Sequence, residues 1–428
     1  MASMLSLSPG TLKILSAAGS TLEFYDFTLF ILFAPQIAAN FFPAESGWNG
    51  ILPVMLLFAV GYIIRPLGGL LFGHISDRHG RRTVFLSSIT CMSLATLSIG
   101  LLPDYQTISS FAPCLLLVLR VIQGISLGGE LPGAIVYSAE HAPANRRGGA
   151  TGLVIAGVTF GNVMGSLSGV LLYSVLSDVQ INQWGWRLPF IVGGILGIAG
   201  YYWRRKFTET PVFQAAISGN TPSALPLKIL ITRFPTRLIR GLLIASVPAS
   251  LIAVLLFIPR YRQHYLHNTG LSDFTLTTVL FLLICLNTVI FAHWSDKTGR
   301  RPILFTGLGL LTVSALPLWS ILLHAPDWSY VIALLTLPFG MIMSCYETML
   351  VELFPTEVRT TGVACCHNLA FALIGGLTPA LLESLCQQGL LSSPAWILTA
   401  CSLTTVVAVF GLNDRYRQPL ASLAAKSR

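Results

Sequence analysis

Six ionisable side chains fall inside long apolar runs of this chain: Glu23, Asp26, Arg65, Arg120, Glu130 and Glu347. At the centre of a lipid-facing helix each would cost on the order of 2–3 kcal/mol or more, so each must face a bundle interior or a water-filled cavity and find a partner there. Spacing sharpens the reading. Arg120, Gln123, Leu127, Glu130, Ala134 and Tyr137 recur at intervals of three or four and form one helix face. Glu23, Asp26 and Phe27 share a face of the first run, with Phe30 a turn further on. Two such helices present carboxylates and an arginine to a common interior. Desolvation strengthens a carboxylate's hold on its proton and an adjacent arginine weakens it; a group balanced between the two loads a proton from one side and releases it to the other. Glu23, Asp26 and Glu130 are therefore candidate proton carriers, and Arg120, Gln123 and Tyr137 candidate substrate ligands. The competing reading is a static buried ion pair that holds two helices in register. Arg65, just before Pro66, reads as an arginine near the end of its run that snorkels to the interface. In the second half Asn287, Glu347, His367 and Asn368, beside Tyr346, are the interior candidates for substrate binding. An unperturbed histidine titrates near neutral pH, and the two asparagines read equally well as interhelical hydrogen bonds.

The elements that must hold these side chains are membrane helices. Hydrophobic residues make up 54% of the 428, charged residues 10%, and the mean hydropathy is +0.72. A soluble domain carries roughly a quarter charged residues, so this composition excludes a solvated globule. The length fits about twelve spans of ~20–28 residues joined by short loops. The expected fold is all-α, with two parallel six-helix halves at 1–205 and 238–412. A linker at 206–237, which contains Pro211, Pro222, Pro226 and Pro235, separates them, and a tail covers 413–428.

The net charge of +9 sits mostly in alternate loops, among them Arg78, Arg81, Arg82, Arg146, Arg147, Arg204, Arg205, Lys206, Lys297, Arg300 and Arg301. The positive-inside rule then puts both termini in the cytoplasm. The basic excess is topology, and no nucleic-acid partner is expected. The eight cysteines are scattered without metal-ligand spacing. No cleavable leader is expected, because the first apolar run contains Glu23 and Asp26 and continues as a full span. Gly157, Gly161, Gly165 and Gly169 line one face of the fifth run, which lets a neighbouring backbone approach closely.

Two loop phrases occur twice, about half a chain apart. Gly73-His-Ile-Ser-Asp77-Arg-His-Gly-Arg81-Arg82 is echoed by Ala292-His-Trp-Ser-Asp296-Lys-Thr-Gly-Arg300-Arg301, and Glu140-x-x-Pro-x-x-x-Arg147 by Glu352-x-x-Pro-x-x-x-Arg359. Repetition in the same order implies two halves of the same topology, the arrangement of a large class of secondary transporters. Asp77 and Asp296 fall close to the amino end of the helix that follows, where a carboxylate suits the helix dipole. Arg81, Arg82, Arg300 and Arg301 have Glu140 and Glu352 as expected partners, and ion pairs made and broken there would latch a cytoplasmic gate. The ten gate candidates are thus Asp77, Arg81, Arg82, Glu140, Arg147, Asp296, Arg300, Arg301, Glu352 and Arg359.

These phrases, with Arg65-Pro-Leu-Gly-Gly69, Gly128-Gly-Glu130, Trp184-Gly-Trp-Arg187-Leu-Pro189 and Glu209-Thr-Pro211-Val-Phe213, resemble the major facilitator superfamily and within it the metabolite:H+ symporters, which include proline/betaine, citrate, α-ketoglutarate and shikimate transporters. The resemblance implies twelve helices in a prokaryotic inner membrane, alternating access, and import of a small polar carboxylate, amino acid or betaine driven by a proton gradient, with no other cofactor and a monomeric state. It also places Asp77 and its repeat partner in the superfamily's gating motif. Ala292 departs from the leading glycine expected there, and the tail lacks the long coiled coil of the osmosensing members. The fifth run lacks the Gly-Pro pair of drug antiporters. An exporter or antiporter remains the alternative within transport, and a non-transporting membrane sensor the alternative outside it. No hydrolytic, nucleotide-binding or metal motif points to an enzyme.

Overall fold

The computed structural model describes residues 9–44, 50–79, 81–204, 226–267, 270–324, 326–355, 358–418 and 420, and the side chains among them except at 9–18, 73–85, 203–204, 226, 270–272 and 326–329. Twelve apolar spans follow one another among these residues. α1 comprises Pro9–Leu32 and Ala34–Phe41, and α2 comprises Leu52–Ile63 and Arg65–His79. Then come α3 (Arg81–Leu101), α4 (Phe111–His141), α5 (Arg147–Val175) and α6 (Arg187–Arg204). The second half has α7 (Pro235–Tyr265), α8 (Gly270–Thr298), α9 (Arg300–His324) and α10 (Thr336–Leu353). In α11, Arg359–Ala370 and Thr378–Gln387 flank a wider turn at Phe371–Gly376, and α12 is Ser393–Val409.

Eight of these helices are long and apolar enough by themselves to cross a membrane. The two parts of α1, bent by 62° at Phe33, make one more, and the apolar stretches Leu86–Leu101, Arg187–Tyr202 and Ser393–Val409 are shorter. Of the expected linker, 206–225 lie outside the described residues; Pro226–Arg233 is a short helix, and α7 already begins at Pro235.

Local chemistry explains several breaks. Pro66 has no N–H to continue the helical hydrogen-bond ladder, and α2 breaks at Ile64, with Arg65 opening its second segment. Asp104 caps the short turn Tyr105–Ile108 by accepting from the Thr107 amide at 3.0 Å.

Between the halves, the most extensive pairing is α5 against α8, and α2 packs on α11. Shifting each member of the first pair by six spans gives the second, as two equivalent halves require. The glycines of α5 serve this packing. At Gly161 a side chain would run into the α1 backbone at Thr21, and at Gly169 into the Phe274 ring of α8. Ala292, the departure from the expected glycine, meets Gly152 of α5, so the missing side chain lies on the other helix. α7 is nearly nine-tenths buried and forms the inner wall of the second half.

Candidate functional site

The interior charges gather at the middle of the seam between the halves. Arg65 is 2% exposed and Arg120 is fully buried. The α2 helix runs to His79, so Arg65 lies mid-span and does not snorkel to the interface. It is held there because α2 and α4 cross backbone to backbone: a side chain at Gly128 would overlap the Arg65 carbonyl, and one at Gly68 that of Ile125. Both guanidinium carbons stand 4.5 Å from the centre of the Phe27 ring, so the two cations are at most twice that distance apart. Arg65 also lies 3.9 Å from the Tyr62 ring and Arg120 4.1 Å from that of Phe30. Aromatic faces attract cations and exclude water, but they accept no conventional hydrogen bonds. Nε and Nη2 of Arg65 and Nη2 of Arg120 are buried without an acceptor.

A directed chain of hydrogen bonds leaves Arg120. Its Nη1 donates to Gln123 Oε1 at 2.8 Å, Gln123 Nε2 donates to Thr96 Oγ1 at 2.8 Å, and Thr96 Oγ1 donates to Asp26 Oδ2 at 2.9 Å. Asp26 is therefore connected to Arg120 through two side chains. It points into the first half, where a side chain at Gly193 of α6 would strike it. Glu130 accepts from Ser88 at 2.9 Å on α3, and Glu23 acts electrostatically on Arg65. The three carboxylates thus occupy separate niches around the arginines. Thr96 and Ser88 were not legible as participants, because single hydroxyls are common in apolar helices.

Across the seam the second half supplies an acid–base pair. His367 Nδ1 lies 2.7 Å from Glu347 Oε1, and both side chains are buried. The imidazole stacks on Phe371 at 4.3 Å, and Phe371 lies 6.0 Å from Tyr62 of the first half. Glu347 Oε2 and His367 Nε2 carry no hydrogen bond. Asn368 crosses the seam directly, donating to the Gly128 carbonyl at 2.8 Å. Two candidates lie elsewhere. Asn287 donates to the Thr336 carbonyl of α10 at 3.2 Å. Tyr137 packs against His141 with ring centres 4.1 Å apart and planes tilted by 33°, near the end of α4.

The gate phrases meet at the basic face, in a crossed pattern. Arg147 binds Glu352 at 2.6 Å and Arg359 binds Glu140 at 2.7 Å, so each half's Glu takes the other half's Arg. Arg300 joins Glu352 at 3.5 Å and Asp296 at 2.9 Å. Asp296 sits in the last turn of α8, and the helix end it serves is not the following one. Its two oxygens accept the Gly148 and Gly149 amides at 2.8 Å each, capping α5 of the opposite half. Arg301 offers its backbone amide to Asp414 at 2.9 Å. Side chains of Asp77, Arg81 and Arg82 lie outside the described residues. The tail crosses the same face: Gln418 accepts from Arg147 at 2.8 Å and Leu420 from Arg359 at 3.4 Å. Toward the opposite face Phe274 of α8 packs on Phe33 and Tyr173 at 5.6 and 5.4 Å, and Thr278 donates to Ser166 at 2.9 Å.

Residues 17–379 match the Major Facilitator Superfamily model. The chain belongs to this superfamily. It is 31% identical to the proline/betaine transporter of Escherichia coli (strain K12) over 95% of its own length and 84% of that protein. Its fold superposes with a TM-score of 0.80 on the proton:xylose symporter XylE bound to 6-bromo-6-deoxy-D-glucose, at 16% identity, covering 98% and 99% of the two chains. A partially occluded inward-open form of XylE from E. coli matches with a TM-score of 0.74 at 18% identity, covering 95% and 98%. The chain is a multi-pass membrane protein of the major facilitator fold and a secondary transporter, not an enzyme.

Proposed function

We propose that this transporter imports a small organic solute bearing a carboxylate, and in particular a zwitterion, together with protons, by alternating access across a bacterial inner membrane. Both termini and the basic face are then cytoplasmic, in keeping with the distribution of Lys and Arg. The protein works as a monomer, with the proton gradient as its energy source. One observation carries the reading: Arg65 and Arg120 flank Phe27 with buried N–H groups that lack acceptors. A carboxylate supplies those acceptors, and a buried donor left without one costs about 1–3 kcal/mol. Across the seam, Glu347 and the rings of Tyr346 and Phe371 suit the cationic nitrogen of a zwitterion. Proline and betaine, named for the E. coli relative, are both of this class.

Proton coupling is assigned to Asp26, because the donor chain from Arg120 ends on it. A carboxylate engaged by Arg120 competes for the charge that reaches Asp26 through Gln123 and Thr96, so substrate and proton occupancy become linked. Glu23, Glu130 and the Glu347–His367 pair are the further groups able to carry a proton.

Uptake into proteoliposomes under an inward proton gradient tests this. Proline, betaine, and mono- and dicarboxylates are offered separately. Accumulation that a protonophore collapses is the expected result; efflux only under the reversed gradient identifies an exporter, and binding without flux a sensor. Asp26→Asn abolishes uphill accumulation while substrate still binds, and Arg120→Ala loses carboxylate substrates. Normal pH-driven accumulation by Asp26→Asn removes that residue from coupling.

A further inference from the structure

The basic face holds a cavity of about 360 Å³ between the start of α7, the end of α10 and the chain beyond α12. Its cationic lining consists of Arg237, Arg240 and Arg415, and the volume lies within the ~300–1,000 Å³ range of small-ligand sites. The cavity is separate from the mid-span site, which it does not share a residue with.

Its charge balance is uneven. Two acids, Glu352 and Asp414, reach the wall, and both are engaged elsewhere. Glu352 spends its carboxylate on Arg147 at 2.6 Å and Arg300 at 3.5 Å. Asp414 accepts the backbone amides of Arg301 at 2.9 Å and Tyr416 at 3.1 Å. The arginines of the cavity meet only neutral acceptors among the described residues: Arg237 donates to the Leu353 carbonyl at 3.2 Å and Arg415 to that of Glu352 at 3.1 Å. Arg237 also lies against the Phe234 ring at 5.0 Å. Three half-buried guanidinium groups from two distant stretches of chain therefore face one space, each with donors to spare. Glu352 is shared with arginines outside the cavity and Asp414 is one negative charge against three positive ones, so the excess of positive charge favours an anion joining them. Guanidinium forks match the oxygens of a phosphate, and three of them converging from different directions suit its tetrahedral shape better than a planar carboxylate.

We propose that Arg237, Arg240 and Arg415 form a binding site for a phosphate-class anion. The site lies where a helix end meets the membrane boundary, a place where basic pockets between helices take phospholipid headgroups, and it is open to a free phosphate as well. The proposal does not depend on which solute the transporter carries.

The test uses purified full-length protein in phosphatidylcholine vesicles and phosphate-free buffer. Inorganic phosphate is titrated while the apparent melting temperature is read, and parallel vesicles contain added phosphatidylglycerol. The expected result is a saturable rise, unlike the gradual effect of a kosmotropic salt. Arg240→Gln, which removes one charge-assisted contact, weakens the response about tenfold, equivalent to ~1.4 kcal/mol. Arg415→Gln weakens it as well, which covers the case in which Arg240→Gln does not fold, whereas Arg417→Gln, outside the cavity, leaves it unchanged. A response to phosphate in phosphatidylcholine alone assigns the site to the free ion. Stabilisation by phosphatidylglycerol that phosphate no longer augments assigns it to the lipid headgroup. No saturable response to either probe, or responses of Arg240→Gln and Arg415→Gln equal to the parent's, overturns the proposal.

Discussion

The two crossed ion pairs at the basic face are built from the same eight-residue phrase and end up in different surroundings. The side chains of Glu352 and Arg147 are 5% and 2% exposed, and Arg300 stands against the same carboxylate. In the other pair Arg359 is buried but the Glu140 side chain is 35% exposed. A carboxylate sealed between two arginines is one whose removal strands buried charge, at about 3–5 kcal/mol. A carboxylate in contact with water contributes about 0–1 kcal/mol, because solvent already screens it. Repetition of a motif therefore does not repeat its energetic weight; the neighbours decide it.

Three substitutions probe that difference. Glu352→Ala has the largest expected effect, destabilising the closed basic face by about 3–5 kcal/mol. It is read as faster labelling of Thr151→Cys by an impermeant thiol reagent added on that face, in a background without exposed native cysteines; Thr151 is 1% exposed and bonded to Thr348 at 2.6 Å across the seam. Gly148→Ala comes next. Its methyl would stand 2.9 Å from Asp296 Oδ1, which loosens the cap on α5 at a cost of about 1–3 kcal/mol, seen in the same labelling rate and in a lower apparent melting temperature. Glu140→Ala has the smallest expected effect, because its carboxylate is already shared with water and the buried Arg359 keeps the Val351 and Leu420 carbonyls as acceptors. Equal labelling rates for Glu140→Ala and Glu352→Ala would erase the distinction, and a further fall in the Glu140→Ala effect at high salt would sharpen it.

Much of this architecture is written in local patterns. Apolar runs give the spans, and the repeated phrases reveal two halves of like topology. Intramembrane charge picks out Asp26, Arg120 and Glu347 as residues in need of partners. What the sequence withholds is which partner each one takes. Asp296 reads as a residue beside the amino end of its own next helix, yet it caps α5, whose Gly148 amide is far off in the chain and adjacent only once the halves close. Glu140 and Glu352 draw on Arg359 and Arg147 because the halves face each other, a relation that spacing along one half does not contain. Arg65 looks peripheral when its run is taken to end soon after Pro66; the helix continues to His79, which puts Arg65 at mid-span beside Phe27. Thr96 and the backbone carbonyls of the tail carry no sequence signal, because one hydroxyl in a helix and any peptide group are chemically ordinary until a neighbour uses them.

The crossed pairs also bear on how such a chain could arise. Each eight-residue phrase carries both an acid and a base, and each pairs with its opposite in the other copy. A protein half this size, bearing one phrase, would form both pairs by meeting an identical twin about a two-fold axis along the membrane normal. Duplication and fusion of a homodimer's gene would then leave the contact intact, with the surroundings of Glu140 and Glu352 free to differ as they do here.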